Sequence, residues 1–150
     1  MAMEIVEEVV RRRQTIAVDD PEAVYPEIRD LLERRMYFDH VQEDRYFHDV
    51  DEGNIRSKII TIEAFDNVTV EELEIYVHIS RQTHELDIQV KGKLVTEYET
   101  SGWKGSLWYY AYRALYDKFL YGEVRHGYEP SVEEKVSEFM HRVRENVEAR

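Results

Sequence analysis

In "LEIYVHISRQ", residues 73–82, hydrophobic and polar positions alternate strictly. Leu73, Ile75, Val77 and Ile79 fall on one side of an extended chain; Glu74, Tyr76, His78 and Ser80 fall on the other. "HELDIQVKGKLVTEYE", residues 84–99, repeats the pattern, with Leu86, Ile88, Val90, Leu94, Thr96 and Tyr98 sharing a face and mostly charges opposing them. Gly92 interrupts that face. A glycine there marks a bulge or the close approach of another element. Upstream, "MYFDHVQEDRYFHDV" and "NIRSKIITIEAFD" flank the turn-like "DEGN" and read as a hairpin. This alternation predicts an antiparallel sheet with one covered and one wet face.

The flanks are helical or mixed. "EIVEEVVRRR" places Ile5, Val6, Val9 and Val10 at helical spacing, yet "VVRRRQTIAV" is β-branched at both ends. We expect a strand ending near Val18, with residues 4–13 open between strand and helix. Asp20-Pro21 is a helix start, because proline suits the first helical position. Val24, Ile28, Leu31 and Leu32 continue at helical spacing, but Pro26 lacks an N–H to give. Two short helices, about 21–25 and 26–35, meet both demands. Near the end, Ser131-Val-Glu-Glu134 forms a capping box, followed by a stripe of Val132, Val136, Phe139, Met140, Val143 and Val147. Glu138 and Arg142 lie one turn apart on its outer side.

Between sheet and stripe stands "GSLWYYAYRALYDKFLYG", residues 105–122. On a helix from Ser106 to Tyr121, with Gly122 as its stop, Trp108, Tyr109, Ala111, Tyr112, Leu115, Tyr116, Phe119 and Leu120 occupy about half the circumference. Aromatic stripes at helical spacing usually fill a core. Several phenols on one inward face also need hydrogen-bond partners, which suits a mostly apolar cavity with a few polar groups.

Composition narrows the classes. The chain has 150 residues and reads as one domain, 1–150, with 43% hydrophobic positions; a domain of this size buries roughly 70% of its unfolded surface. It has no cysteine, which removes thiol chemistry and cysteine-held zinc and suits a cytoplasmic setting. No apolar run reaches the ~20 residues of a membrane span. A net charge of −12 argues against nucleic acid as a partner. The basic runs Arg11–Arg13 and Arg34–Arg35 are flanked by acids and read as salt-bridged surface.

Candidate chemistry is sparse. The six histidines (His40, His48, His78, His84, His126, His141) show no metal-binding spacing. "HDVDEGN" is acidic, but its glycine is misplaced for a calcium loop, so a polar turn is the plain reading. His40 shares parity with Met36 and Phe38, which would turn it inward near Tyr46 as a weak acid–base candidate. No Ser-His-Asp pattern, nucleophile elbow, phosphate loop or dinucleotide fingerprint is present. We expect no metal and no cofactor.

The order strand, two short helices, antiparallel strands, C-terminal helix resembles the START-like superfamily, the polyketide cyclase-like (SRPBCC, helix-grip) proteins. The nearest local likeness is in "TIAVDDPEAVYPEIRD", at Pro21, Val24, Tyr25 and Asp30. Pro26 departs from the family pattern, and the glycine-rich loop of its plant pathogenesis-related branch is missing. The resemblance implies an α+β helix-grip fold: a curved antiparallel sheet, for which this sequence offers about six strands where seven are common in the family, two short helices after strand one, and a long C-terminal helix across the concave face. It also implies a cavity between sheet and helix, where Trp108, Tyr112, Tyr116, Phe119 and Tyr98 would hold a small apolar or aromatic ligand. The readings that follow are a non-enzymatic binder, an enzyme of cyclase, hydratase or hydrolase type in the same cavity, or a protein-interaction module using the aromatic helix. A homodimer stays open.

Overall fold

The computed structural model describes residues 2–65, 69–99 and 122–148. Their order is β1 (Ala2–Ala17), α1 (Pro21–Asp30), a π-helical turn (Leu31–Arg35), β2 (His40–Asp49), β3 (Asn54–Ala64), β4 (Thr69–Ser80), β5 (Glu85–Glu99) and α2 (Gly122–Glu148). Among the described residues the five strands form one antiparallel sheet in the order β1-β5-β4-β3-β2. The class is α+β with a C-terminal helix. Five strands stand where about six were expected, and Glu85–Glu99 passes through Gly92 as one strand.

The segment left open between strand and helix is strand. Residues 4–13 lie in β1, paired along their length with β5 and shifted in register between Glu8 and Val10. There the unpaired Val9 forms a bulge.

Residues 21–35 are not two helices broken at Pro26. Pro26 lies inside α1, where it removes one bond to the preceding turn. The change in winding comes later, at Leu31, whose carbonyl accepts the Met36 N–H at 3.1 Å to close the wider turn. Asp20 caps with its backbone alone: its carbonyl accepts the Ala23 N–H at 3.1 Å, and its side chain makes no capping bond. Val24, Ile28, Leu31 and Leu32 are buried.

The capping box at Ser131 is also overturned. Ser131 and Pro130 lie within α2, and Gly122 is helical rather than a stop. The hydrophobic stripe prevails over the local start signal: Val132, Val136, Phe139, Val143 and Val147 are at most 1% exposed, and burial of that size outweighs one cap. The Arg142–Glu138 pair forms on the outer side at 2.9 Å.

α2 lies across β1, β5 and β4, with α1 beside it. Gly92 sets how close it comes. A Cβ there would stand 2.7 Å from Val132 Cγ1 and 2.9 Å from Val10 Cγ1, so the glycine serves close approach. Under the helices Leu73, Ile75, Ile79, Leu86, Ile88, Val90 and Leu94 are fully buried. Hydrogen bonds tie helix to sheet at several points. Gln14 donates to the Met140 carbonyl at 2.9 Å. The Tyr25 hydroxyl donates to Ser57 Oγ at 2.8 Å, which donates on to the Arg45 carbonyl at 3.0 Å.

The acidic turn behaves as a turn. Asp49 Oδ1 accepts the N–H groups of Asp51 and Glu52 at 3.1 and 3.2 Å, and Gly53 adopts φ +74°, the region glycine enters without steric cost.

Candidate functional site

The inner face of the sheet changes character along its length. From Leu73 to Ile79 it is aliphatic. Two residues earlier the same register brings in Glu71, and two more Thr69. Thr61 and Glu63 continue this polar end on β3, and Thr96 continues it on β5. Thr61, Thr69, Glu71 and Thr96 are all buried. The Thr69 and Thr96 hydroxyls bond each other at 3.0 Å, while Thr61 Oγ1 has no hydrogen-bond partner among the described residues.

Glu71 is the outlier. It is 1% exposed, and neither carboxylate oxygen has a hydrogen-bond partner among the described residues. Glu63 stands directly opposite on β3. From α2, Lys135 Nζ lies 3.7 Å from Glu63 Oε2. Burial raises the Glu71 carboxyl to about 8; the Glu63 charge pushes the same way and Lys135 pulls against both. At neutral pH Glu71 is therefore mostly the neutral acid, with an O–H to donate. These groups line a cleft of about 280 Å³ with Phe65, Ser131, Glu134 and Glu138.

The site residues expected from the sequence fall differently. Trp108, Tyr112, Tyr116 and Phe119 lie outside the described residues. Of Tyr98 only the backbone is described, in β5 opposite Met3. His40 does not turn inward. It is exposed and pairs with Ile62 on the outer face, whereas Tyr46 pairs with Ser57 on the inner one. The parity carried from Met36 through Phe38 fails because the chain between is not extended: Tyr37 has φ +57°. Among the described residues no group of three or more His, Asp or Glu side chains is placed to hold a metal ion, and no helix is long and apolar enough to cross a membrane.

Glu71 was missed, yet its signal was in the sequence. The alternation of 73–79, extended back two residues, puts position 71 inside. A glutamate at an inward position of a central strand is rare enough to flag.

No protein-family model matches the sequence, and no curated protein does. A solved structure titled "Structure of Protein of Unknown Function SA2116 from Staphylococcus aureus" is 13% identical, with 97% of this chain and 96% of that one covered, at a TM-score of 0.30. At that level the likeness assigns neither fold nor function.

Proposed function

We propose that the protein binds a small, mostly apolar or aromatic molecule at the polar end of the inner face, with the neutral Glu71 carboxyl as its hydrogen-bonding anchor. The observation that carries this reading is a carboxyl without a hydrogen-bond partner among the described residues, almost fully buried and lining a cleft. A buried polar group without a partner is costly, and a ligand hydroxyl, carbonyl or amine would remove that cost. A helix-grip architecture of the START-like kind is part of the reading. It is supported by β1 leaving for a helical segment and by the meander β2–β5 returning to pair with β1.

A second reading, an enzyme in the same cleft, has one observation in its favour. Two carboxyl groups face each other across β3 and β4, one of them with its pKa near neutrality, the arrangement from which acid–base pairs are made. In that reading Glu71 gives a proton and Glu63 is the charged partner.

The test combines native mass spectrometry of the protein from its own source with binding of an apolar dye to three forms. The parent and Glu71→Gln, which keeps a donor and an acceptor, are expected to bind. Glu71→Leu is expected to fold and to lose binding about tenfold or more. Absence of both co-purified ligand and dye uptake in the parent removes the binder reading. Equal uptake by the Leu variant removes Glu71 as the anchor.

A further inference from the structure

The sheet has a second recess, on the face opposite α1 and α2. Two adjacent rows of side chains cross all five strands there. One runs Arg13, Gln89, Tyr76, Lys58, Arg45; the next runs Thr15, Asp87, His78, Arg56, Phe47. Nine of these ten residues, all but Thr15, line a groove of about 540 Å³, within the range of small-molecule sites.

Its charge runs against that of the whole chain. Four permanent cations, Arg13, Arg45, Arg56 and Lys58, face one carboxylate, Asp87, in a protein of net charge −12. Asp87 is already engaged by Arg13, at 3.0 and 2.5 Å. Arg56 is exposed and has no ion pair among the described residues. Lys58 and Arg45 are direct cross-strand neighbours, a like-charge placement that costs stability. Their nearest acid, Asp44, stands 3.8 and 3.9 Å away. The rest of this face shows what neutral pairing looks like: Lys93 donates to Glu74 at 2.7 Å.

Two further features point to a ring and a hydrogen bond. Tyr76 lies in the central strand with the Lys58 and Lys91 ammonium groups 5.6 and 5.2 Å from its ring centre, and Phe47 at the groove's edge is 62% exposed. His78 Nε2 is buried without a hydrogen-bond partner among the described residues.

We propose that this groove binds a planar ring-bearing anion, a molecule with an aromatic ring and a phosphate or carboxylate group. The anion meets Arg56 and Lys58, and His78 Nε2 bonds one of its polar atoms. The ring lies between Tyr76 and Phe47, where aromatic contact adds to ion pairing. This site is separate from the cleft at Glu71, and neither reading needs the other.

Calorimetric titration of the full chain with phenyl phosphate, benzoate, inorganic phosphate and phenol tests the assignment. Phenyl phosphate or benzoate is expected to bind about tenfold or more tightly than both phosphate and phenol, and more weakly as salt rises. The stronger of the two identifies the anion. Arg56→Glu, at an exposed position, is expected to weaken binding about tenfold with an unchanged melting curve; Lys58→Glu should do the same, and Glu71→Leu should leave binding alone. The assignment is overturned if the ring-bearing anions bind no better than phosphate or phenol, or if Arg56→Glu binds like the parent. Loss of binding in Glu71→Leu with retention in Arg56→Glu would return the ligand to the inner face.

Discussion

Ile75 and Tyr76 are neighbours in the chain and belong to different environments. Ile75 is fully buried beneath the helices. Tyr76 lies on the opposite face, its hydroxyl donating to Glu74 at 2.8 Å and two ammonium groups beside its ring. The inner face is held by dispersion and the exclusion of water, which reward shape alone. The outer face is held by ion pairs in water, which are individually weak and leave room for unpaired charge. An unpaired polar group is thus an exception on the inner face and affordable on the outer one. That contrast gives Glu71 and Arg56 different meanings, although neither has a hydrogen-bonding partner among the described residues.

The largest effect that sharpens the contrast comes from truncating each neighbour. Ile75→Ala should cost about 2–5 kcal/mol, the usual range for a buried aliphatic side chain, read from the urea midpoint. Tyr76→Ala should cost clearly less, because its ring has water on one side. Similar midpoints for the two variants would mean that the faces are not distinct.

Next is the titration of Glu71. Its carboxyl has an ordinary value of 4.5 and sits at about 8 in the fold. Between those values the folded state holds the extra proton, so stability falls as pH rises from about 4.5 to 8 and levels off above. Glu71→Gln removes that slope. It should match the parent below pH ~4 and exceed it at pH ~9 by roughly 2–4 kcal/mol, the ~1.4 kcal/mol per pKa unit being reduced by water in the cleft. A parent whose stability is flat across this window would contradict the burial of Glu71.

The smallest effect belongs to the outer face. Arg13 holds the Asp87 carboxyl below its ordinary value. A depressed acid contributes stability that is present above its unfolded value, ~3.9, and lost as pH falls through its folded one. Asp87→Asn should remove only a shallow acid-side slope, since the Arg13 side chain is 66% exposed. An effect as large as that of Glu71→Gln would show that this pair is not solvated.

Much of the inner face was legible in the chain. Leu73 to Ile79 and Leu86 to Leu94 declare their side by alternation, and Val132 to Val147 by helical spacing, because burial acts on every residue of a periodic stripe at once. Local punctuation was less reliable. Pro26 and Ser131 each signal a break, and helix continues through both; Gly122, read as a stop, is itself helical. A proline inside a helix costs about 3 kcal/mol and a missing cap about 1 kcal/mol, too little against a buried stripe. His40 shows a related limit: parity propagates only through extended chain, and Tyr37 ends it.

By itself, then, the sequence determined which positions of β4 and β5 face the helices, that the strands run antiparallel, and that the hydrophobic stripe of the last helix is buried. These follow from short-range periodicity. The structure alone decided what stands beside what. Arg13, Tyr76, Lys58 and Arg45 are scattered over four strands in the sequence and form one row only through the register of the ladders. Glu71 meets Glu63 across a strand pair and Lys135 from a helix more than sixty residues away by the same means. Local pattern sets the face of each residue; its neighbours on that face come from pairing between distant segments, which no single segment encodes.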